Sequence, residues 1–269
     1  MKLLLNGKPF TTSARSLGSL QAELQVTPGT TVLILNGFAT TEDFPLHDGD
    51  EIFCFEKRTL PPQEAFEQML CARHTPQVHK KVKHGRIAVA GLGGLGSHIA
   101  IMLARTGIGH LHLIDFDVVE PSNLNRQAYK VKHLGLPKAR ALAEEIHETN
   151  PFVIVTAENL RLTEENIPEF LTEDPIICEA FDNPAAKAML VNTVTTSFPD
   201  KYIVAASGMA GYGSSNAIVT RRITDHFYLC GDGSTAAQPG QGLMAPRVMI
   251  CAGHQANMAL RLLLQETSV

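Results

Sequence analysis

The stretch Ile87-Ala-Val-Ala-Gly91-Leu-Gly93-Gly94-Leu-Gly96-Ser97 limits what this chain can fold into more than any other segment. Ile87–Ala90 is short and continuously apolar, as a strand covered on both faces must be, and Leu95–Arg105 carries a helical pattern. The glycines between them permit a tight turn and let backbone N–H groups approach phosphate oxygens at a helix N-terminus. Taken alone, such a glycine spacing is shared by many dinucleotide-binding proteins, and a tight packing turn with no ligand would use glycine too.

Beyond Arg105 the alternation of strand and helix continues. Strands are expected at His110–Ile114, Val153–Ala157, Ile176–Glu179 and Tyr202–Ala206, and helices at Lys138–His147 and Ala185–Thr195. That order implies a Rossmann-like, mostly parallel α/β sheet with right-handed crossovers. The end of the chain breaks the rhythm: Ala217–Arg221 and His226–Leu229 read as antiparallel strands, and Pro246–Leu264 as a closing helix.

At roughly 150 residues per domain, 269 residues leave room for one domain or two. Residues 1–57 decide for two. Lys2–Leu5 runs into Asn6-Gly7, a hairpin signal, and leucines 17, 20 and 24 share one helical face. Thr31–Leu35 and Glu51–Phe55 read as further strands, so this part is a small α+β unit. Pro61-Pro62 ends it, residues 58–85 form a helical linker, and 86–269 form the larger domain. Lys80, Lys81, Lys83, His84 and Arg86 make a basic cluster that reads first as a solvated face. With a formal charge of −4, nucleic acid is not an expected partner. Five scattered cysteines without a Cys-x-x-Cys pair point to a reduced, cytoplasmic protein. No apolar run approaches the roughly 18 residues of a membrane span.

Three further motifs carry chemistry. Asp115, ending the second strand about 20 residues past the glycine loop, suits a ribose hydroxyl pair. To this point a hydride-transfer enzyme and a nucleotidyl transferase are equally served. Asn123, Arg126 and Lys138 separate them, because attack at a triphosphate requires cations beside the phosphates. Asp182, in Cys178-Glu-Ala-Phe181-Asp182-Asn183, leaves the carboxyl end of a strand, where it can face Mg²⁺; it can equally cap the helix that begins at Pro184.

In combination, Gly91-x-Gly93-Gly94-x-Gly96-Ser97, Asp115-Phe-Asp117, Ser122-Asn-Leu-Asn-Arg126-Gln127, Lys138-Ala and Asp182-Asn183 resemble the MoeB/ThiF branch of the ubiquitin-activating-enzyme superfamily. Residues 1–57 resemble a ThiS-type β-grasp sulfur carrier. The resemblance implies ATP-dependent adenylation of the C-terminal glycine carboxylate of a ThiS-like sulfur carrier in thiazole synthesis for thiamine. A molybdopterin-type carrier, a tRNA base or a non-catalytic carrier-binding scaffold are the alternatives. It further implies that Gly91, Gly93, Gly94, Gly96, Asp115, Asp117, Asn123 and Asn183 bind the nucleotide. Asn123, Arg126 and Lys138 would clamp the triphosphate, Asp182 would position Mg²⁺, and Arg73 would reach into the partner subunit's site of a homodimer.

Two departures from the resemblance bear on function. Many relatives hold structural zinc on two Cys-x-x-Cys pairs, which this chain lacks, so no zinc is expected. Cys230, beside Gly231-Asp232 in an expected loop, is then the best placed thiol for a persulfide or thioester role, against the plainer reading of an inert core thiol. The grasp-like unit also runs on through Phe53-Cys-Phe-Glu-Lys-Arg-Thr-Leu60 without a glycine pair, so it cannot be the thiocarboxylated substrate in cis.

Overall fold

The computed structural model describes residues 1–26, 29–74 and 76–269, and the side chains of all of these except residues 72–74 and 76. The chain divides into two compact units, Met1–Lys80 and Lys81–Val269.

The first unit contains β1 (Lys2–Leu5), β2 (Lys8–Thr11), α1 (Leu17–Glu23), β3 (Thr31–Leu35), β4 (Phe38–Thr40), β5 (Glu51–Glu56) and α2 (Gln63–His74). Its sheet runs β2-β1-β5-β3-β4, with β1 and β5 parallel and the other pairs antiparallel. Both hairpins turn on Asn-Gly, with Asn6 and Gly7 at φ 51° and 74° and Asn36 and Gly37 at 50° and 86°, the left-handed pairs that a two-residue hairpin demands. One face of the sheet buries Leu3, Leu33 and Ile52 against Leu17 and Leu20 of α1. On the other, Ile34 and Phe53 pack against Ala65 and Met69 of α2, a helix that the sequence places in a linker.

Helix α3 (Pro76–Lys83) precedes the larger sheet. The second unit then runs β6 (Arg86–Ala90), α4 (Gly94–Arg105), β7 (His110–Ile114), α5 (Lys138–Thr149), β8 (Ile154–Glu158), α6 (Ile167–Phe170), β9 (Ile176–Glu179), α7 (Pro184–Ser197), β10 (Tyr202–Ala206), β11 (Val219–Arg222), β12 (Phe227–Gly231) and α8 (Ala245–Leu263). The strand order is β11-β12-β10-β9-β6-β7-β8. Every pair is parallel except β11 with β12, so only β11 runs against the sheet; the expected second antiparallel strand, β12, lies parallel to β10. Ile167 and Leu171, in and after α6, join Leu190 and Val194 of α7 over one face. Helices α4, α5 and α8 take the other, contributing the buried Ile99, Leu103, Leu142, Ile146 and Cys251. Among the described residues no helix is long and apolar enough to cross a membrane.

The basic cluster ahead of β6 is spent in part on structure. Arg86 Nε lies 2.7 Å from Asp174 Oδ1, and Lys81 donates to the Leu264 carbonyl at the end of α8. Asp174 is fully buried and its other oxygen lies 2.7 Å from His112 Nδ1. Burial alone would raise its pKa, but His112 and Arg86 outweigh that and hold it below the ordinary carboxylate range. A depressed folded pKa contributes stability that is present above the unfolded value, near 4, and is lost as pH falls through the folded one. Wild type is therefore expected to lose stability more steeply below about pH 4 than Asp174→Asn does, as read by denaturant melts across that range.

Candidate active site

Strand order reverses between β6 and β9, whose crossovers lead to opposite sides of the sheet, and a crevice must open where their carboxyl ends diverge. A cavity of about 780 Å³ lies there, within the size range of small-molecule sites. The glycine loop, Asp115, Asp117, Arg126 and Lys138 line one part of it; Phe181, Asp182 and Lys187 line another.

Steric geometry explains the glycines. Gly91 leaves β6 at φ 88°, and a Cβ there would lie 2.8 Å from the Phe181 ring and 2.9 Å from the Ala180 carbonyl oxygen. A Cβ on Gly96 would lie 1.8 Å from the Gly91 carbonyl oxygen, so the first turn of α4 could not pack on the loop. Gly96 thus supports the cradle from beneath and does not line the cavity. No side chain caps α4, and Gly93, Gly94 and Leu95 of its first turn line the cavity, an arrangement suited to phosphate.

Asp115 is committed more tightly than a ribose ligand alone would be. Its Oδ2 accepts from Leu92 N at 2.6 Å and its Oδ1 from Asp117 N at 2.8 Å, tying the loops after β6 and β7 together. Burial raises its pKa, opposed by Lys138 and by those two N–H groups. Lys138 Nζ sits 2.9 Å from Asp117 Oδ2, where an arriving phosphate must compete with a half-exposed carboxylate. Tyr129, which sequence reasoning passed over, donates its hydroxyl to the Leu92 carbonyl at 2.8 Å and so anchors the glycine loop from below.

Two expected roles need correction. Asn123 does not line the cavity: its Oδ1 accepts from Glu120 N at 3.0 Å, stabilising the 3₁₀ turn Pro121–Asn123. Its Oδ1 is used locally and its Nδ2 donates to Ser122 Oγ at 3.5 Å, so Asn123, outside the cavity lining, shapes the turn that delivers Arg126 instead of reaching the triphosphate. Asn183, not Asp182, caps α7, its Oδ1 accepting from Ala185 N at 2.9 Å and Ala186 N at 3.0 Å. That oxygen is therefore not available to a nucleotide, whereas the exposed Asp182 carboxylate has no hydrogen-bond partner among the described residues and stands at the rim.

Arg126 carries a positive charge that is not committed to a carboxylate. Its Nη1 donates to Ser122 O at 3.1 Å and Asn125 Oδ1 at 2.9 Å, its buried Nε has no partner, and no carboxylate pairs with it among the described residues. Beside it, Gln127 lines the same cavity, and its buried Oε1 has no partner. Arg161 lies 4.2 Å over the Phe116 ring, adding a stacked cation to the wall after β8. The sequence signal for Gln127 was its place in the Ser122–Gln127 motif; for Arg161 there was none.

For Cys230 the loop placement is corrected, and the plainer reading of an inert core thiol is the one that fits. The residue lies in β12, fully buried, with its pKa pushed up to about 11 by burial, so it is neither a loop thiol nor an accessible nucleophile. The buried Cys178 and Cys251 are raised likewise, Cys251 to about 12. Among the described residues no group of three or more His, Cys, Asp or Glu side chains is placed to hold a metal. The Arg73 side chain lies outside the described residues.

The family model described as "ThiF family" matches residues 67–269, and the one described as "ThiS-like ubiquitin" matches residues 1–58. The adenylyltransferase and sulfurtransferase uba4 of Emericella nidulans is 29% identical over 178 residues, 66% of this chain and 34% of that protein. The sulfur carrier protein adenylyltransferase of Thermus thermophilus is 33% identical over 138 residues, 51% of this chain and 46% of that one. This chain thus spans less than half the length of either relative. Among solved structures, E. coli tRNA N6-threonylcarbamoyladenosine dehydratase, TcdA, in complex with AMP superposes with a TM-score of 0.69 at 21% identity, covering 77% of this chain and 98% of that one. At that identity the likeness concerns the fold. With three quarters of its length matched by one family model, over the residues that build the parallel sheet and its cavity, the chain belongs to the ThiF family.

Proposed function

We propose that this protein adenylates the C-terminal glycine carboxylate of a ThiS-like sulfur carrier, serving thiazole formation in thiamine synthesis. The observation that carries the reading is the uncommitted Arg126 guanidinium beside an uncapped glycine loop, in a cavity whose rim holds the unpartnered Asp182. A carboxylate and a triphosphate repel each other, and joining them needs fixed positive charge at the reacting phosphorus. In the reaction a carboxylate oxygen bonds to the α-phosphorus of ATP, the bond from that phosphorus to its bridging oxygen breaks, and pyrophosphate leaves with the electron pair. Arg126 and Lys138 would stabilise the charge that develops on the phosphates, and Asp115 would orient the ribose through the loop it braces.

Mg²⁺, when bound, would neutralise phosphate charge. A single free carboxylate at a phosphate site suits that ion, which is commonly held by one or two carboxylates together with substrate oxygens, and Asp182 is that residue here. The ThiS-like N-terminal unit favours a carrier over a tRNA base as the second substrate, as does the absence of a net basic charge. Having no glycine pair at its end, that unit would serve docking, dimerisation or regulation. The enzyme would act in the cytoplasm as a homodimer, with Arg73 supplied across the interface; light scattering tests the dimer.

ATP–pyrophosphate exchange tests the activity. With ATP and Mg²⁺, exchange is expected to depend on a ThiS-type carrier ending in Gly-Gly and not on a molybdopterin-type carrier or tRNA. Exchange with one of the latter would transfer the activity to that substrate, and none with any glycine-ended carrier would leave a binding scaffold.

A further inference from the structure

The wall formed by the exit of β9 and the start of α7 carries an ion pair that takes no part in holding the phosphates. Glu179, the last residue of β9, is fully buried, and both its oxygens meet Lys187 Nζ, at 2.9 and 2.8 Å. Its Oε1 also accepts from Phe181 N at 2.7 Å, and the Ala206 N–H at the end of β10 bonds the same carboxylate. Glu179 therefore joins three segments that border the cavity, and Lys187 lines the cavity itself.

This pair is costly as pure structure. Burying a carboxylate at a strand end loses hydration that an ion pair repays only with good geometry, and an apolar replacement is often as stable. Lys187 also sits at the fourth position of α7, in the first turn, where a cation opposes the helix dipole. A side chain kept at such a place, three-quarters buried and facing a cavity, has its charge available to something inside it.

The position of Lys187 identifies that something. The phosphate-binding features, namely the glycine loop, Arg126 and Lys138, come from the segments after β6 and β7 and from α5. The part of the cavity bordered by Ser207–Ala210 and Thr235–Ala237 contributes small and apolar side chains, and Lys187 is the cation on its side among the described residues. Of the three ammonium protons, the two Glu179 oxygens accept two, which leaves one donor for a ligand.

We propose that Lys187 binds the carboxylate of the second substrate, and that Glu179 is the positioning residue that holds the ammonium in place. The inference rests on the reading of the cavity as an adenylation site. The phosphate cations Arg126 and Lys138 would then act on the electrophile while Lys187 neutralises the nucleophile's charge until it reaches the α-phosphorus.

The test uses binding, so that it does not depend on turnover. The probes are a peptide ending in Gly-Gly with a free carboxylate and the same peptide as its C-terminal amide, each titrated into full-length protein saturated with α,β-methylene ATP. Wild type is expected to prefer the free carboxylate by about tenfold or more, the scale of one charge-assisted hydrogen bond. Lys187→Met alone strands Glu179, so the informative variant is Glu179→Gln with Lys187→Met, which removes both charges and keeps an acceptor for Phe181 N. In this double variant the preference is expected to fall below about twofold while affinity for the ATP analogue stays within about twofold, and Lys187→Arg is expected to restore the preference. A preference that persists in the double variant, or is absent from wild type, overturns the proposal. Loss of analogue affinity in parallel would make Lys187 a phosphate ligand and overturn it equally. Carboxylate preference in a wild type that shows no pyrophosphate exchange with any carrier would sustain the carboxylate site and remove the adenylation reading instead.

Discussion

Arg126→Ala is expected to lower carrier-dependent ATP–pyrophosphate exchange by about 10²–10³-fold, the range for removing one fixed donor from a developing oxyanion. The effect should fall on kcat more than on the KM for ATP, because the guanidinium is placed for charge that grows as pyrophosphate departs. Stability should change little. The side chain's own bonds, to Ser122 O and Asn125 Oδ1, lie within its own turn, so thermal melts are expected to shift by the equivalent of less than about 1 kcal/mol. Arg126→Lys should recover only part of the rate, since an ammonium cannot reproduce the planar fork. Asn123→Ala should act in the same direction by loosening the turn, with a smaller loss. Exchange within fivefold of wild type in Arg126→Ala would remove this residue from the clamp.

The contrast between Arg126 and Asn123 marks what the sequence can say about such a site. Residues whose role is forced by the backbone are legible: Gly91 and Gly96 because a Cβ would strike main chain, Asn6-Gly7 and Asn36-Gly37 because a two-residue hairpin needs their conformation. Residues in one motif are not distinguished by it, since Asn123 and Arg126 stand three apart and only the fold turns one to its own backbone and the other to the cavity. The same holds for Asp182 and Asn183, either of which could cap α7 by type. Tyr129 and Arg161 were illegible because their partners, Leu92 and Phe116, become neighbours only through the crossovers, and Lys187 because Glu179 meets it only across the turn that leads from β9 into α7. Helix α6 is too short to show a period, and Cys230 was placed in a loop because the glycine after it read as a turn, whereas Gly231 at φ 126° is the last residue of β12.

Gly231 also leads into the largest stability effect expected. Asp232 follows it, and its Oδ1 accepts from Ser234 N and Thr235 N, both at 2.8 Å, while its Oδ2 accepts from Thr235 Oγ1 and Arg247 Nη2, both at 2.6 Å. Arg247 Nη1 reaches on to the Ser214 carbonyl at 2.7 Å, so one buried ion pair joins the segments after β10 and β12 to the first turn of α8. Removing one partner of such a pair leaves the other charge buried and uncompensated, and Asp232→Ala is expected to cost about 3–5 kcal/mol in urea melts at pH 7. That is a fifth or more of the roughly 5–15 kcal/mol that holds an ordinary domain together. Replacing both charges, with Asp232→Asn and Arg247→Met, should recover more than half of the loss, because the cost lies in the stranded guanidinium. The pH dependence supplies an independent check. Burial raises the Asp232 pKa, but the bonds from Thr235, Ser234 and Arg247 outweigh it and leave the group well below the usual carboxylate range. Its contribution is therefore complete above the unfolded value near 4 and is lost as pH falls toward the folded one, so the gap between wild type and Asp232→Ala should narrow below about pH 4. A gap under about 1 kcal/mol at pH 7 would mean that Arg247 finds a second acceptor when Asp232 is gone. Because Thr235 lines the cavity as well as bonding Asp232, the variant that folds least well is also expected to lose carrier binding before it loses ATP binding.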